Sequence, residues 1–350
     1  MLWDVFCRVI DNFGDVGVCW RLAADLAARG EHVRLWLDDA SVLRWMAPRG
    51  CASVTVMAWS QADGAVQPSD VVIETFGCEL PISFVQAMAA RPAPPVWINL
   101  EYLTAEPYAL RSHGLQSPQL SGPGAGLSKW FFYPGFQHGG GGVLREVDLL
   151  KQQNAFNAAA WLSERGCAPH AGERVVSLFC YDNPRLRDLL TDLSREPTLL
   201  LVTAGAAAEQ VRSVQSDERA RGLLRVHYLD LLSQTDYDHL LWASGLNFVR
   251  GEDSFVRAQL AGKPFVWQIY PQHDGAHAVK LRAFVDLFGK VTEEPDLLWP
   301  SWAAWNGLTN TPLAMPAASN WQAASAAWRD HLLTQTDLTS RLQSFVAERR

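Results

Sequence analysis

Excess positive charge is missing from this chain, and with it the usual means of holding nucleic acid non-specifically. The 30 Lys and Arg are outnumbered by 37 Asp and Glu, for a formal charge of −7 over 350 residues, whereas a nucleic-acid surface needs a basic patch or stripe. Cysteine is sparse. Cys7, Cys19, Cys51, Cys78, Cys167 and Cys180 are irregularly spaced and form no CxxC pair, the usage of reduced, buried thiols and not of a disulfide framework or metal cluster. No apolar run approaches the roughly 18 residues of a membrane span, and Asp4 and Arg8 interrupt the first apolar stretch, so no leader pattern opens the chain. These absences make a cytoplasmic protein the expectation. Also missing are GxGxxG and GxxxxGK[ST], which argues against a dinucleotide oxidoreductase and a P-loop enzyme. Asp38-Asp39 is no DxD motif, and there is no repeat, low-complexity tract or coiled-coil heptad.

What is present is ample core. Apolar residues make up 48%, and 350 residues are long for one core and comfortable for two. Dense apolar runs at 3–10, 32–37, 71–75 and 96–99 read as strands buried on both faces. Helices at 16–29 and 82–90 fall between them, the first ended by Gly30. This alternation predicts a right-handed, mostly parallel sheet. Residues 106–142 are rich in Gly, Pro and Ser around a short strand at 131–133, and the glycine run 139–142 reads as a flexible loop. The alternation restarts with strands at 175–179, 198–202, 223–228, 246–249 and 265–268, and helices at 184–193, 236–243 and 254–261. The tail, 323–346, reads as helix. Two α/β domains are expected, 1–150 and 151–325, with 326–350 crossing back to brace the first.

Chemistry in such sheets sits at the carboxyl ends of strands. Two strand exits are rich in candidates. In Ile10-Asp11-Asn12-Phe13-Gly14-Asp15-Val16-Gly17, two carboxylates flank a turn whose glycines let the backbone approach a ligand. Asp11 and Asp15 would make a negative pocket for a cationic group or for a nucleophile that must lose a proton; the competing reading has Asp15 capping the next helix and Asp11 bonding its own turn. In Arg250-Gly251-Glu252-Asp253-Ser254, a helix beginning at Asp253 or Ser254 would aim backbone N–H groups at an anion such as a pyrophosphate, with an ordinary acidic cap as the alternative. Glu101 and Tyr102, in Asn99-Leu100-Glu101-Tyr102-Leu103, leave a third strand, and Tyr181 and Tyr270 leave two more, where an aromatic could stack on a nucleobase. His273 and His277 have helical metal-ligand spacing around Asp274 but lack the HExxH pattern and a third ligand nearby.

The run from Ile10 through Gly17 to Val18-Cys19-Trp20-Arg21-Leu22-Ala23 resembles the start of the bacterial elongation factor P arginine rhamnosyltransferases. Val72-Ile73-Glu74-Thr75-Phe76, Asn99-Leu100-Glu101-Tyr102-Leu103, the stretch from Leu246 to Gln259 around RGEDSFVRAQ, and Phe265-Val266-Trp267-Gln268-Ile269-Tyr270-Pro271-Gln272 continue the likeness. The resemblance implies a GT-B glycosyltransferase, an α/β fold of two Rossmann-like domains with an interdomain cleft. It implies an inverting, metal-independent transfer of rhamnose from dTDP-β-L-rhamnose to an arginine of elongation factor P, which activates that factor on polyproline-stalled ribosomes. By the same resemblance Asp15 is the general base, Asp11 its companion and Glu252 a glutamate required for activity. Asp253 and Ser254 hold the donor phosphates, and Tyr181, Gln234 and Tyr270 line the donor pocket, with Gly14 and Gly17 on the donor side. Asn12, Phe13, Glu101 and Tyr102 lie on the acceptor side. Leu231-Leu232-Ser233, before Gln234, departs from the family's apolar-Pro-Gln run. Neither a cofactor nor a metal is expected, nor a nucleic-acid or membrane partner. A nucleotide-sugar epimerase of the same architecture and a non-catalytic nucleotide-sugar-binding module are the competing readings.

Overall fold

The computed structural model describes residues 1–9, 13–64, 66–215, 222–272 and 275–350. The chain runs β1 (Leu2–Cys7), α1 (Gly14–Ala28), β2 (His32–Leu37), α2 (Leu43–Met46), β3 (Val54–Ala58), β4 (Val71–Thr75), α3 (Ile82–Ala89), β5 (Val96–Leu100), α4 (Pro107–Ser112), β6 (Gln116–Pro118) and β7 (Ser128–Phe132). It continues through α5 (Leu149–Ala155), α6 (Ala158–Glu164), β8 (Arg174–Leu178), α7 (Leu186–Leu193), β9 (Thr198–Val202), α8 (Ala206–Gln215), β10 (Leu224–Tyr228), α9 (Gln234–Ala243), β11 (Leu246–Arg250), α10 (Asp253–Ala261) and β12 (Phe265–Gln268). Helices α11 (Ala276–Thr292), α12 (Trp299–Trp305), α13 (Ala318–Leu333) and α14 (Leu338–Ala347) end it.

Met1–Val147 and Gln335–Arg350 form one compact unit, and Asp148–Thr334 another. The first unit's sheet has the order β3-β2-β1-β4-β5-β7-β6, parallel except where β6 runs against β7. The second has β10-β9-β8-β11-β12, parallel throughout. In both, chain direction across the sheet reverses beside the first strand, between β1 and β4 and between β8 and β11. Crevices at the carboxyl ends of such switch points are where open α/β sheets bind ligands.

Each buried strand feeds two faces. In β1, Val5 and Cys7 join one apolar cluster with Leu22 and Leu26 of α1, while Phe6 turns to the other with Trp36, Phe84 and Met88, as the two-residue period of a strand requires. β3 is a half-exposed edge strand, too weakly patterned to stand out in the sequence.

The tail is not one helix. It breaks at Thr334–Asp337, and the boundary drawn at 325 falls inside α13. α13 belongs to the second unit, where Trp328 packs edge to face on Phe284. α14 belongs to the first, and its Leu338, Leu342, Phe345 and Val346 are part of the core under α1. Asp337 caps α14 by accepting from Ser340 N (2.9 Å), and Arg29 at the end of α1 donates to both Asp337 (2.8 Å) and Ser340 (2.6 Å). The second half of the glycine run, Gly141 and Gly142, is closely packed and is no loose loop. Gly141 N donates to Tyr133 O at 2.7 Å, and a Cβ on Gly141 would stand 2.5 Å from that oxygen. Gly142, at φ +76°, leaves no room for a Cβ beside Thr336 O.

Candidate active site

In the first unit the switch point is framed by α1 and the exits of β4 and β5. Phe13 is the N-cap of α1, and Asp15 lies in its first turn, so Asp15 does not cap the helix. A carboxylate there is favoured by the helix dipole. One turn on, Cys19 is fully buried, and burial, with Cys7 beside it, pushes its thiol well up; it is a packing thiol, not a nucleophile. Its Sγ donates to Thr75 Oγ1 (3.4 Å), which donates to Phe6 O (2.6 Å), tying the head of α1 to the end of β4. Asp11 and Asn12 lie outside the described residues.

The exit of β4 is a tight turn. Cys78 N donates to Thr75 O (3.1 Å), and the two central residues, Phe76 and Gly77, both have positive φ (56° and 66°), the pattern of a type I′ turn. Glycine takes that conformation freely; an L-residue with a Cβ loses about 1–2 kcal/mol. Phe76 is held there by its N–H on Leu100 O (2.7 Å) and by its ring, which stacks on Tyr102 with centroids 4.2 Å apart and planes 11° apart. Gly77 N donates to Asn99 Oδ1 (3.2 Å), and Asn99 Nδ2 donates to Glu101 (2.6 Å). Burial pushes the Glu101 carboxyl above its ordinary range despite the Asn99 bond; the negative Glu74 adds to the rise and Lys129 opposes it. Glu74, itself buried, is paired with Lys129 Nζ (2.9 Å) and accepts from Trp97 Nε1 (3.2 Å). Burial also raises the phenols of Tyr108 and Tyr133, each of which feels Glu101.

In the second unit, β11 ends in Arg250 and turns through Gly251 (φ +69°) into α10. The cap is Glu252, with Asp253 and Ser254 in the first turn. Ser254 does not cap because its hydroxyl turns back and donates to Arg250 O, the local bond that serines make inside helices. Gln234 Nε2 reaches Asp253 (3.4 Å), joining the heads of α9 and α10. After β8, Tyr181 N donates to Gln268 Oε1 (2.9 Å), and the Tyr181 ring meets Tyr270 edge to face at 5.4 Å. The Tyr181 hydroxyl lies 3.7 Å from where a Cβ on Gly251 would stand. Arg250 places its guanidinium 4.4 Å from the centroids of both Phe179 and Tyr181 and donates to Cys180 O (3.3 Å). Beneath the turn, Arg257 of α10 makes a buried fork with Asp238 of α9 (2.9 and 2.8 Å).

The structure thus gathers Tyr181, Gln234, Glu252, Asp253, Ser254 and Tyr270 at one sheet edge, and Asp15, Glu101 and Tyr102 along the carboxyl edge of the other. Phe76, Glu74 and Arg250, which stand in the quoted motifs without an assigned role, join them, as does Lys129, which lies in none; only the tertiary fold brings Lys129 beside Glu74. His277 accepts from Gln272 N (3.1 Å), while His273 and Asp274 lie outside the described residues. Among the described residues no His, Cys, Asp and Glu group is arranged to hold a metal ion, and no helix is long and apolar enough to cross a membrane.

Two Rossmann-like units, each with such an edge at its switch point, are the architecture of the GT-B glycosyltransferases. The fold is shared with the spinosyn rhamnosyltransferase SpnG, at TM-score 0.55 and 12% identity over 99% of each chain. The chain belongs to the family described as elongation factor P (EF-P) rhamnosyltransferase EarP, whose model matches residues 3–347. A protein-arginine rhamnosyltransferase of Pseudomonas aeruginosa is 41% identical, with 99% of both proteins covered. A structure solved to explain EarP-mediated arginine glycosylation of elongation factor EF-P is 31% identical, with TM-score 0.66 and 99% of each chain covered.

Proposed function

We propose that this enzyme, in the cytoplasm, moves L-rhamnose from dTDP-β-L-rhamnose to one arginine side chain of translation elongation factor P, inverting the sugar and using no metal. The observation that carries this reading is a family match over nearly the whole chain, joined to an acid at the head of α1 and an aromatic and backbone-donor edge at the head of α10.

In this reading the second unit binds the donor. Tyr181 lies beside the thymine and Tyr270 lines the same pocket, the first turn of α10 at Asp253 and Ser254 receives the pyrophosphate, and Gln234 and Glu252 orient the sugar nucleotide. Backbone N–H groups at a helix head stabilise a departing diphosphate without a cation. The first unit handles the acceptor. Guanidinium is a poor nucleophile because its charge is delocalised and its pKa exceeds about 12. Asp15, with Asp11 as companion, pins that charge to one side and localises a lone pair on the opposite nitrogen. That nitrogen attacks the anomeric carbon as the bond to the phosphate oxygen breaks. dTDP leaves with the electron pair, and Asp15 takes a proton from the nitrogen it holds, so that the glycosylated guanidinium keeps a single positive charge. A single displacement of this kind converts the β-configured donor to an α-linked product.

The test is release of dTDP in the presence of EDTA, with elongation factor P either intact or carrying lysine in place of the modified arginine. Release with the intact factor alone supports the reading. Donor consumption that ignores the acceptor would instead indicate an epimerase or a hydrolase.

A further inference from the structure

Gln234 reaches Asp253 from the first turn of α9, so the direction in which the chain enters that helix decides where this side chain lies. The entry is set by Ser233, the N-cap, at φ −62° and ψ 162°. A proline ring locks such a φ, and Pro81 does so at the head of α3, at φ −56° and ψ 138°. Serine has no such lock, and hydrogen bonds take its place. Ser233 Oγ accepts from Asp236 N (3.1 Å) and donates to one oxygen of the Asp236 carboxylate (2.9 Å). The other carboxylate oxygen takes the guanidinium of Arg165, the residue that ends α6. The two charged side chains are 26% and 34% exposed, and ion pairs of that exposure contribute little when both partners are free to move. Here they are held. The Arg165 guanidinium lies over the Trp161 ring, 4.1 Å from its centroid, and Trp161 Nε1 donates to the same Asp236 oxygen (3.5 Å). A ligand that uses Gln234 therefore meets a turn that is already ordered, which is how preorganisation raises affinity.

We propose that Asp236 is a positioning residue for the donor: gripped by Arg165 and bonded to Ser233, it fixes the entry into α9 and so holds Gln234 in place for the sugar nucleotide. This rests on the donor-pocket reading above. Asp236 acts on the donor only through Ser233 and Gln234.

The experiment compares wild type with Asp236→Ala, with Arg165→Met and with the double variant Ser233→Pro/Asp236→Ala. The readouts are dTDP affinity by calorimetry, KM for dTDP-β-L-rhamnose, kcat, KM for EF-P and thermal stability. Asp236→Ala should weaken dTDP binding and raise the donor KM about tenfold, equivalent to about 1.4 kcal/mol. Its kcat and KM for EF-P should stay within about twofold of wild type, the pattern of lost ground-state binding. Arg165→Met, which keeps a cover on Trp161, should move the same two donor constants the same way by about threefold, as fits a partly exposed ion pair. In the double variant proline sets the φ that the hydrogen bonds set before, and Leu232 ahead of it is non-helical, as the residue before a proline prefers. Its dTDP affinity should return to within about threefold of wild type although the capping hydroxyl is gone. Unchanged dTDP affinity in Asp236→Ala and Arg165→Met overturns the proposal. So does a loss spread equally over dTDP affinity, kcat and KM for EF-P, which marks a merely structural role, and so does a double variant that binds as weakly as Asp236→Ala. If Asp236→Ala does not fold, Arg165→Met decides between the same outcomes. Wild-type protein that binds no dTDP fails the donor reading instead, and the Asp236 assignment goes with it.

Discussion

Tyr181 and Tyr270 leave different strands of the second unit and meet edge to face, with centroids 5.4 Å apart and planes at 75°. Tyr181 is fixed from behind by its backbone bond to Gln268 and by the Arg250 guanidinium over its ring, whereas Tyr270 is 43% exposed. Stacking of a base on an aromatic ring is typically about 1–3 kcal/mol. Tyr181→Ala should therefore weaken dTDP binding by roughly ten- to a hundredfold, and Tyr270→Ala by less. Calorimetric titration with dTDP checks both; equal affinity in all three proteins would remove the pair from the donor site.

In the proposed mechanism Asp15 takes the proton, so Asp15→Asn should lower kcat by about 10²–10⁴-fold, the usual contribution of one positioned base, and leave dTDP affinity unchanged. Near-normal turnover in that variant would assign the base elsewhere.

Glu101 links stability to pH. Its carboxyl is raised from 4.5 mainly by burial, then by Glu74, against Lys129 and the Asn99 bond; the phenols of Tyr108 and Tyr133 also face it. A raised carboxyl makes the charged form costly in the folded state, and this cost is present at neutral pH and relieved as pH falls through the raised value. Glu101→Gln should melt higher than wild type at pH 7, and the difference should shrink as the pH falls toward 4.5. It should also bind EF-P less tightly. Melting curves of both proteins across that window check the sign, and a variant that melts lower at pH 7 contradicts it.

The Arg257–Asp238 fork is buried on both sides. Removing one partner takes the counter-charge from a buried charge, which costs about 3–5 kcal/mol. Arg257→Met should lower the unfolding free energy of the second unit by that amount, while replacing both residues with apolar ones should recover much of it. Chemical denaturation of the three proteins makes the comparison.

Gly142→Ala should destabilise the first unit by at least about 1 kcal/mol, because the new Cβ meets Thr336 O in a backbone conformation that disfavours any side chain. A melting temperature equal to wild type would show that the α14 junction yields.

That junction also marks where the sequence stops being legible. Strands such as β4, β9 and β12 announce themselves by consecutive apolar residues, Val71–Ile73, Leu199–Val202 and Phe265–Trp267, because both of their faces are buried, and the two Gly-bearing exits mark the switch points by their composition. The run 139–142 has the composition of a loose linker, and only the chain packed against Gly141 and Gly142 shows why no side chain fits at those two positions. The break before α14 depends on Asp337 meeting Arg29, a partner from the other end of the chain. Phe76 looks like one more apolar residue of a strand until its φ and its contact with Tyr102 are known. Similarly, the cap of α10 shifts to Glu252 because Ser254 finds a nearer acceptor in Arg250 O, a choice between two local bonds that composition cannot rank.

The most direct measurement is the intact mass of purified elongation factor P after incubation with this enzyme, dTDP-β-L-rhamnose and EDTA, followed by peptide mapping. The account predicts a gain of one deoxyhexose on a single arginine, absent when Asp15→Asn replaces the wild type at the same short time. A gain that appears only when a divalent metal is restored, or that maps to another residue type, would contradict it.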